Sequence, residues 1–131
     1  MNHHPQLMLV SGDMAIFMFF AFMGRETHAP RDANLIVNAL PTLLTFLIAW
    51  FAVARLGGVY RADVITQPRA AVVRTLIAWL MAAPIALLSR AILLSRTAIP
   101  WQFAAVTIGL VGALLLLWHG GLGWSLTRRA K

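Results

Sequence analysis

The sequence predicts an all-α integral membrane protein, a four-helix bundle with short loops. Of its 131 residues, 60% are hydrophobic and only 11% are charged, whereas a soluble domain carries about a quarter charged residues. A soluble fold of this size has too little interior to hide so much apolar surface. Four apolar windows also follow one another, each near the roughly 20 residues that a spanning helix needs. We expect one transmembrane domain over residues 1–131, with helices about 7–23, 35–54, 71–94 and 103–124.

The charge balance indicates the surroundings of the chain. A net charge of +7 arises from 11 Lys and Arg against 4 Asp and Glu. In a membrane protein this excess predicts a lipid bilayer with anionic headgroups as a partner. Nucleic acid is not expected, because no basic stripe is interleaved with exposed aromatic residues. The chain has no cysteine, which excludes disulfides, thiolate metal sites and cysteine nucleophiles.

The first predicted helix is aromatic-rich and carries one carboxylate, Asp13, near its start. A signal peptide would have a cationic beginning, an uncharged apolar core and small residues at a cleavage site. Here no Lys or Arg precedes the core, Asp13 interrupts it, and Arg25 and Glu26 follow it. We therefore expect a retained transmembrane helix, in which the buried acid needs a partner from elsewhere in the chain.

Glycine and proline mark the other helices. Gly57 and Gly58 end the second helix, and Pro68 shortly precedes the third. Pro100 opens the fourth helix. Pro41 and Pro84 lie inside the second and third helices and should kink them, since proline lacks the N–H of a helical hydrogen bond. The five tryptophans are interpreted as interface or packing residues.

The fourth helix has a face of small residues, which let helix backbones approach closely in lipid. This face serves either packing inside the bundle or contact with another subunit. It consists of Ala105, Gly109, Gly112 and Ala113.

Alternation of the helices across the membrane brings two groups of polar residues together. Asp13, Arg74 and His119 fall at similar depth on the side of the N-terminus, which predicts an Asp13–Arg74 ion pair with His119 nearby. The basic residues of the loops and of the C-terminal tail favour this side, and with it both termini, as the cytoplasmic one. The opposite side gathers Arg25, Glu26, His28, Asn38 and Arg90.

These clusters allow two interpretations. Each ion pair can fix the register of the helices, with charges neutralised because they cannot be left alone in lipid. Alternatively, the Asp and His form a proton or ion relay. No metal site or cofactor is expected, although a lone histidine such as His119 can ligate the magnesium of a pigment. No catalytic set is evident, so we expect no enzyme activity.

The motifs in this order resemble a known family of small membrane proteins, the one catalogued as domain of unknown function 3054. The resemblance covers roughly residues 9–118 and implies a helical prokaryotic membrane protein, here of the inner membrane, without implying a reaction. Members often carry a basic residue after the last tryptophan, where this chain has His119. The motifs are Gly12-Asp13, Gly24-Arg25 with His28, Gly58-Val59-Tyr60-Arg61, Pro84 with Arg90, and Pro100, Phe103 and Val106 leading to Trp118.

Three functions are carried forward as hypotheses. The first is an accessory subunit of a larger membrane complex, such as a respiratory or photosynthetic one, with other membrane subunits or a second copy of the chain as partners. The second is a small oligomeric transporter or proton-conducting protein that uses the Asp13 cluster. The third is an intramembrane enzyme that acts on a lipid headgroup through Glu26 and His28.

Overall fold

All secondary structure in the described part of the chain is helical, which confirms the predicted all-α class. The structure, a computed structural model, describes residues 4–26, 34–95 and 97–131, with side chains left out at 24–26, 35, 36 and 38. The helices are α1 (His4–Glu26), α2 (Leu35–Leu56), α3 (Ala62–Ile65), α4 (Pro68–Leu93), α5 (Trp101–Val106) and α6 (Gly112–Arg129), and a π-helical turn (Thr107–Val111) joins the last two.

Four helical segments are long and apolar enough to cross a membrane, so the chain is a multi-pass membrane protein. They span His4–Met23, Ala39–Leu56, Pro68–Leu93 and Trp101–Arg129. The last segment contains α5, the π-helical turn and α6. All four helical segments extend beyond the predicted windows at one or both ends, because a hydropathy window stops at charged or polar residues whereas a helix continues into the headgroup region. Arg128 and Arg129 are examples, since both are helical. The helices α2 and α4 also continue through Pro41 and Pro84.

Aromatic rings from three helices form the centre of the bundle. The Phe17 ring of α1 lies 6.3 Å from Phe46, 6.2 Å from Trp50 and 5.9 Å from Trp79, centroid to centroid. All four side chains are buried. Near α4 the core is lined by small residues, including Ala82 and Ala83, which allow α4 to pack closely on α2.

The sequence Gly57-Gly58-Val59 ends α2 with a Schellman motif. The Val59 N–H donates to the carbonyl of Ala54, the Gly58 N–H donates to the carbonyl of Arg55, and Gly58 has a φ of 69°. This left-handed conformation favours glycine, which has no Cβ to clash with the backbone. The turn buries Val59 and directs the next residue, Tyr60, back under the end of α2.

The π-helical turn is held against α4 by a tryptophan. Trp79 Nε1 donates to the carbonyl oxygen of Ile108 at 3.0 Å. A Cβ on Gly112 would lie 2.8 Å from Trp79 Nε1, so only glycine leaves room for the indole there. Gly112 therefore packs inside the bundle, as one of the two interpretations of the small-residue face expects.

Candidate functional site

A buried aspartate and a buried histidine meet near one end of the bundle. Asp13 on α1 is 0% exposed, and His119 on α6 is 2% exposed. His119 Nε2 lies 2.9 Å from Asp13 Oδ1. Of the residues that the sequence placed together here, the structure brings these two into direct contact, although they are 106 positions apart in the chain.

Two aromatic donors occupy the other carboxylate oxygen. Trp50 Nε1 donates to Asp13 Oδ2 at 3.0 Å, and the Tyr60 hydroxyl donates to the same oxygen. The indole N–H can only donate, and it also lies 3.0 Å from the Tyr60 hydroxyl oxygen. We call Asp13, Trp50, Tyr60 and His119 the carboxylate cluster. Its members come from α1, α2, the turn after α2, and α6, so a single carboxylate ties together three of the four spanning segments.

Arg74 is not a member of the carboxylate cluster, so the predicted Asp13–Arg74 ion pair is wrong. Arg74 lies at the same end of the bundle, but its Nη1 donates to the carbonyl oxygen of Gly57 at 3.0 Å. The physical reason is that the end of α2 leaves carbonyl groups without helical partners, and a nearby guanidinium can satisfy them. The Asp13 oxygens are already in contact with Trp50, Tyr60 and His119.

Sequence reasoning missed Trp50 and Tyr60 as partners of Asp13. The tryptophan pattern predicts a packing or interface role for Trp50, although an indole N–H needs an acceptor when it is buried. Tyr60 is the single tyrosine of the chain and follows directly on the glycine turn that ends α2. This position in the sequence could have indicated that Tyr60 contacts Asp13, because the turn directs the residues that follow it back toward the bundle.

Tyr60 lies outside the spanning helices yet is half-buried. Burial raises the pKa of its hydroxyl far above the ordinary value of about 10. The charge of Asp13 and the hydrogen bond to it act in the same direction, whereas the hydrogen bond from Trp50 opposes them. Tyr60 is therefore a neutral donor to the carboxylate over the whole physiological pH range.

A groove of about 800 Å³ opens beside the cluster at this end of the bundle. Tyr60 forms part of its wall, and the Tyr60 ring stacks on Phe51 with 6.3 Å between centroids. Arg55 and Arg61 supply positive charge at the groove, which we call the basic groove. Tyr60 therefore belongs to the wall of the basic groove and also donates to Asp13 through its hydroxyl.

The second predicted cluster falls mostly outside the described residues. His28 and the side chains of Arg25, Glu26 and Asn38 are among the parts of the chain that the structure leaves undescribed. The described member is Arg90. Its Nε donates to Thr42 Oγ1 at 2.7 Å, and its guanidinium carbon lies 4.5 Å over the ring of Phe103.

The residues of the small-residue face do not all have the same surroundings. Gly112 is buried against Trp79, whereas Ala105, Gly109 and Ala113 are exposed on the outside of the bundle. A Cβ on Gly109 would have no atom within 4 Å. Packing inside the bundle therefore accounts for Gly112 and not for the other three.

The described residues contain no group of three metal-ligating side chains. His119 Nε2 is directed at Asp13, and the His119 ring lies at 84° to that of Trp50 with 6.2 Å between centroids. In this arrangement the nitrogen contacts a carboxylate, so the magnesium of a pigment has no access to it.

Comparison with known proteins identifies the family without adding a reaction. No curated protein and no solved structure matches the chain. A family model described as "Protein of unknown function (DUF3054)" matches residues 10–122, a stretch that contains the whole carboxylate cluster. The match covers most of the 131 residues, and the chain therefore belongs to the DUF3054 family.

Proposed function

We propose that the chain is a small proton-coupled membrane protein, a transporter or proton conductor that works as an oligomer. The observation that carries this proposal is the position of Tyr60, which lines the basic groove at one end of the bundle and donates through its hydroxyl to Asp13 of the buried Asp13–His119 pair. Ionisable groups at membrane depth mark ion or proton pathways by default, because burying them in lipid is costly.

The cluster contains the parts that a proton transfer needs. The Tyr60 hydroxyl both donates and accepts, so it can take a proton from water in the basic groove while passing its own to Asp13 Oδ2. The proton then resides on the carboxyl group or on the ring nitrogen of His119, which lie 2.9 Å apart. Beyond this pair the aromatic rings of Phe17, Phe46 and Trp79 fill the bundle. Moving the proton across the rest of the membrane therefore requires a rearrangement of the helices. The interface between the subunits of an oligomer is a place where this rearrangement can occur.

In this proposal the membrane is the cytoplasmic membrane of a prokaryotic cell, and both termini face the cytoplasm. The support is the distribution of basic residues. The end of the bundle that carries the N-terminus of α1 and the C-terminus of α6 also carries Arg55, Arg61, Arg69, Arg128 and Arg129. The basic groove and Tyr60 then face the cytoplasm.

Proton flux through reconstituted vesicles tests the proposal. We expect the wild-type chain to collapse an imposed pH gradient and the Asp13→Asn variant to lose this activity, because an amide cannot take up the proton. Tyr60→Phe should slow the flux while keeping the ring packed on Phe51. Asp63→Asn is the matched control, since Asp63 is an exposed carboxylate paired with Arg61 and lies outside the cluster.

Wild-type vesicles that are no leakier than empty ones would contradict the proposal, as would unchanged flux in folded Asp13→Asn. The second result would assign the cluster to helix register alone. Folding of each variant is checked by the elution of a single species in detergent, and Tyr60→Phe keeps the test decisive if Asp13→Asn does not fold.

An accessory subunit of a larger membrane complex is the second candidate, favoured by the outward position of Ala105, Gly109 and Ala113. Small exposed residues four apart let a second helix approach closely in lipid. In this case the wild-type chain should co-purify from its native membrane with stoichiometric partner subunits. Ala113→Leu should release them, whereas Ala15→Leu, an exposed position near the middle of α1, should retain them. Purification of the wild type alone, or equal loss in both variants, would exclude this function.

A further inference from the structure

The basic groove combines an apolar wall with positive charge. Leu7, Val10 and Phe51 line it between the first turns of α1 and the last turns of α2. Leu7 is 63% exposed, so this wall is continuous with the apolar outer surface of the spanning helices. Arg55 and Arg61 lie where the second spanning segment ends, at the level at which lipid headgroups are expected.

The two guanidinium groups have donors to spare. Within the described part of the chain, the side chain of Arg55 forms no hydrogen bond or ion pair. Arg61 uses Nε and Nη2 to hold Asp63, at 3.1 and 3.3 Å, which leaves the donors on Nη1. The two acidic side chains that the structure describes are Asp13, engaged with His119, and Asp63, engaged with Arg61. Neither pairs with Arg55, so its guanidinium can bind an external anion.

We propose that the basic groove binds one anionic phospholipid from the surrounding leaflet, with its phosphate at Arg55 and Arg61 and an acyl chain along Leu7, Val10 and Phe51. A guanidinium suits this role because its planar donors match phosphate oxygens in pairs. The volume of about 800 Å³ exceeds that of a phosphate alone and accommodates a headgroup with the upper part of a chain. The exposed side chain of Leu7 joins the groove to the apolar outer surface of the helices, so in this proposal the lipid enters sideways from the bilayer.

Contacts within the chain also fix the shape of the basic groove. Gln6 Nε2 donates to the carbonyl oxygen of Tyr60 at 3.0 Å, which joins the start of α1 to the turn after α2. Gly58 is held in its left-handed conformation beside Arg61 and Arg74. The groove is therefore formed by the fold before any lipid binds, which reduces the ordering cost of binding.

Native mass spectrometry of the detergent-solubilised full chain tests the proposal, with phosphatidylglycerol or phosphatidylcholine titrated in. We expect one phosphatidylglycerol to bind at low concentration, with phosphatidylcholine clearly weaker. Arg55→Gln should weaken phosphatidylglycerol binding roughly fivefold, as expected for one basic residue at a membrane surface. The matched control is Arg69→Gln, an exposed arginine at the same end of the bundle that does not line the groove.

Val10→Trp tests the acyl part separately, since it fills the apolar wall without changing charge. It should reduce binding of phosphatidylglycerol and leave Arg55 free to bind phosphate. Equal losses in Arg55→Gln and Arg69→Gln would overturn the proposal in favour of general surface attraction. Full displacement of the lipid by millimolar inorganic phosphate would also overturn it, because the site would then be one for a free anion. Unchanged binding in both Arg55→Gln and Val10→Trp would place the lipid elsewhere.

Discussion

At the scale of single residues, the chemistry of this protein centres on how Asp13 is satisfied. An ionised carboxylate with no exposure is tolerated only when donors replace the water that it has lost. Here the donors are an indole, a phenol and an imidazole, and none of them is permanently charged. A permanent cation such as Arg74 would hold the carboxylate as a fixed ion pair. Histidine, unlike arginine, exists in a neutral and a protonated form, and the proposed proton transfer uses this property.

The single tyrosine allows this arrangement to be tested directly. Because the folded-state pKa of Tyr60 lies above its unfolded value of about 10, its stabilising contribution is fully present below that pH and is lost as the pH rises further. We expect the ultraviolet absorbance of tyrosinate to remain absent from the folded protein when the pH exceeds about 10. In denaturant the same residue should ionise near that value. Ionisation of the folded chain at the ordinary pKa would show that Tyr60 is not engaged with Asp13.

At the level of helices, the bundle depends on a close approach that glycine permits. Gly12 on α1 lies directly against the indole ring of Trp118 on α6, in a position that a Cβ would occupy. The indole N–H of Trp118 donates to the carbonyl oxygen of Leu9 at 3.3 Å, one turn earlier on α1. This contact brings the two helices close enough for His119 to reach Asp13, so the site depends on the absence of a side chain one position before the acid.

Two glycine-to-alanine substitutions separate this packing effect from helix propensity. Gly12→Ala should lower the thermal stability of the detergent-solubilised protein, since the added methyl group overlaps the Trp118 ring. Gly109→Ala has open space around it and should be neutral or stabilising by up to about 1 kcal/mol, because alanine favours the helix. Melting curves of both variants against wild type provide the measurement. A Gly12→Ala protein as stable as Gly109→Ala would mean that α1 and α6 do not pack in this way.

At the scale of the whole molecule, four spanning segments return the chain to the side from which it started. The start of α1, the turn after α2, the start of α4 and the end of α6 meet there. Gln6 contacts the turn at Tyr60, and a Cβ on Gly123 of α6 would lie 3.1 Å from the carbonyl oxygen of Ile65. One end of the bundle therefore holds the carboxylate cluster, the basic groove and both termini.

Cysteine labelling measures this topology, because the natural chain contains no cysteine. His4→Cys and Lys131→Cys should react with an impermeant thiol reagent from the same face of the membrane. Thr97→Cys, which is exposed between α4 and α5, should react from the opposite face. Ala82→Cys, which is 0% exposed, should stay unreactive and serves as the buried control. Reaction of His4→Cys and Thr97→Cys from one face would contradict four spans.

The helical class, the number of spans and the depth of the polar residues are predictable from the sequence. These follow from hydropathy and alternation, which depend only on local composition and on the order of the segments. Asp13 and His119 were therefore assigned correctly to one end of the bundle. The depth of a residue does not specify how its helix is rotated about its own axis, however. The sequence therefore could not decide which side chains of neighbouring helices face one another.

The hydrogen-bond partners of these residues follow instead from contacts between helices. The tertiary structure directed Arg74 to the carbonyl of Gly57 and supplied Trp50 and Tyr60 to Asp13, because the Schellman turn and the Gly12–Trp118 contact set the rotation and spacing of the helices. It also turned Gly112 inward and left Ala105, Gly109 and Ala113 outward. A small-residue pattern has the same spacing in both cases, and the direction in which it faces depends on contacts between residues distant in sequence.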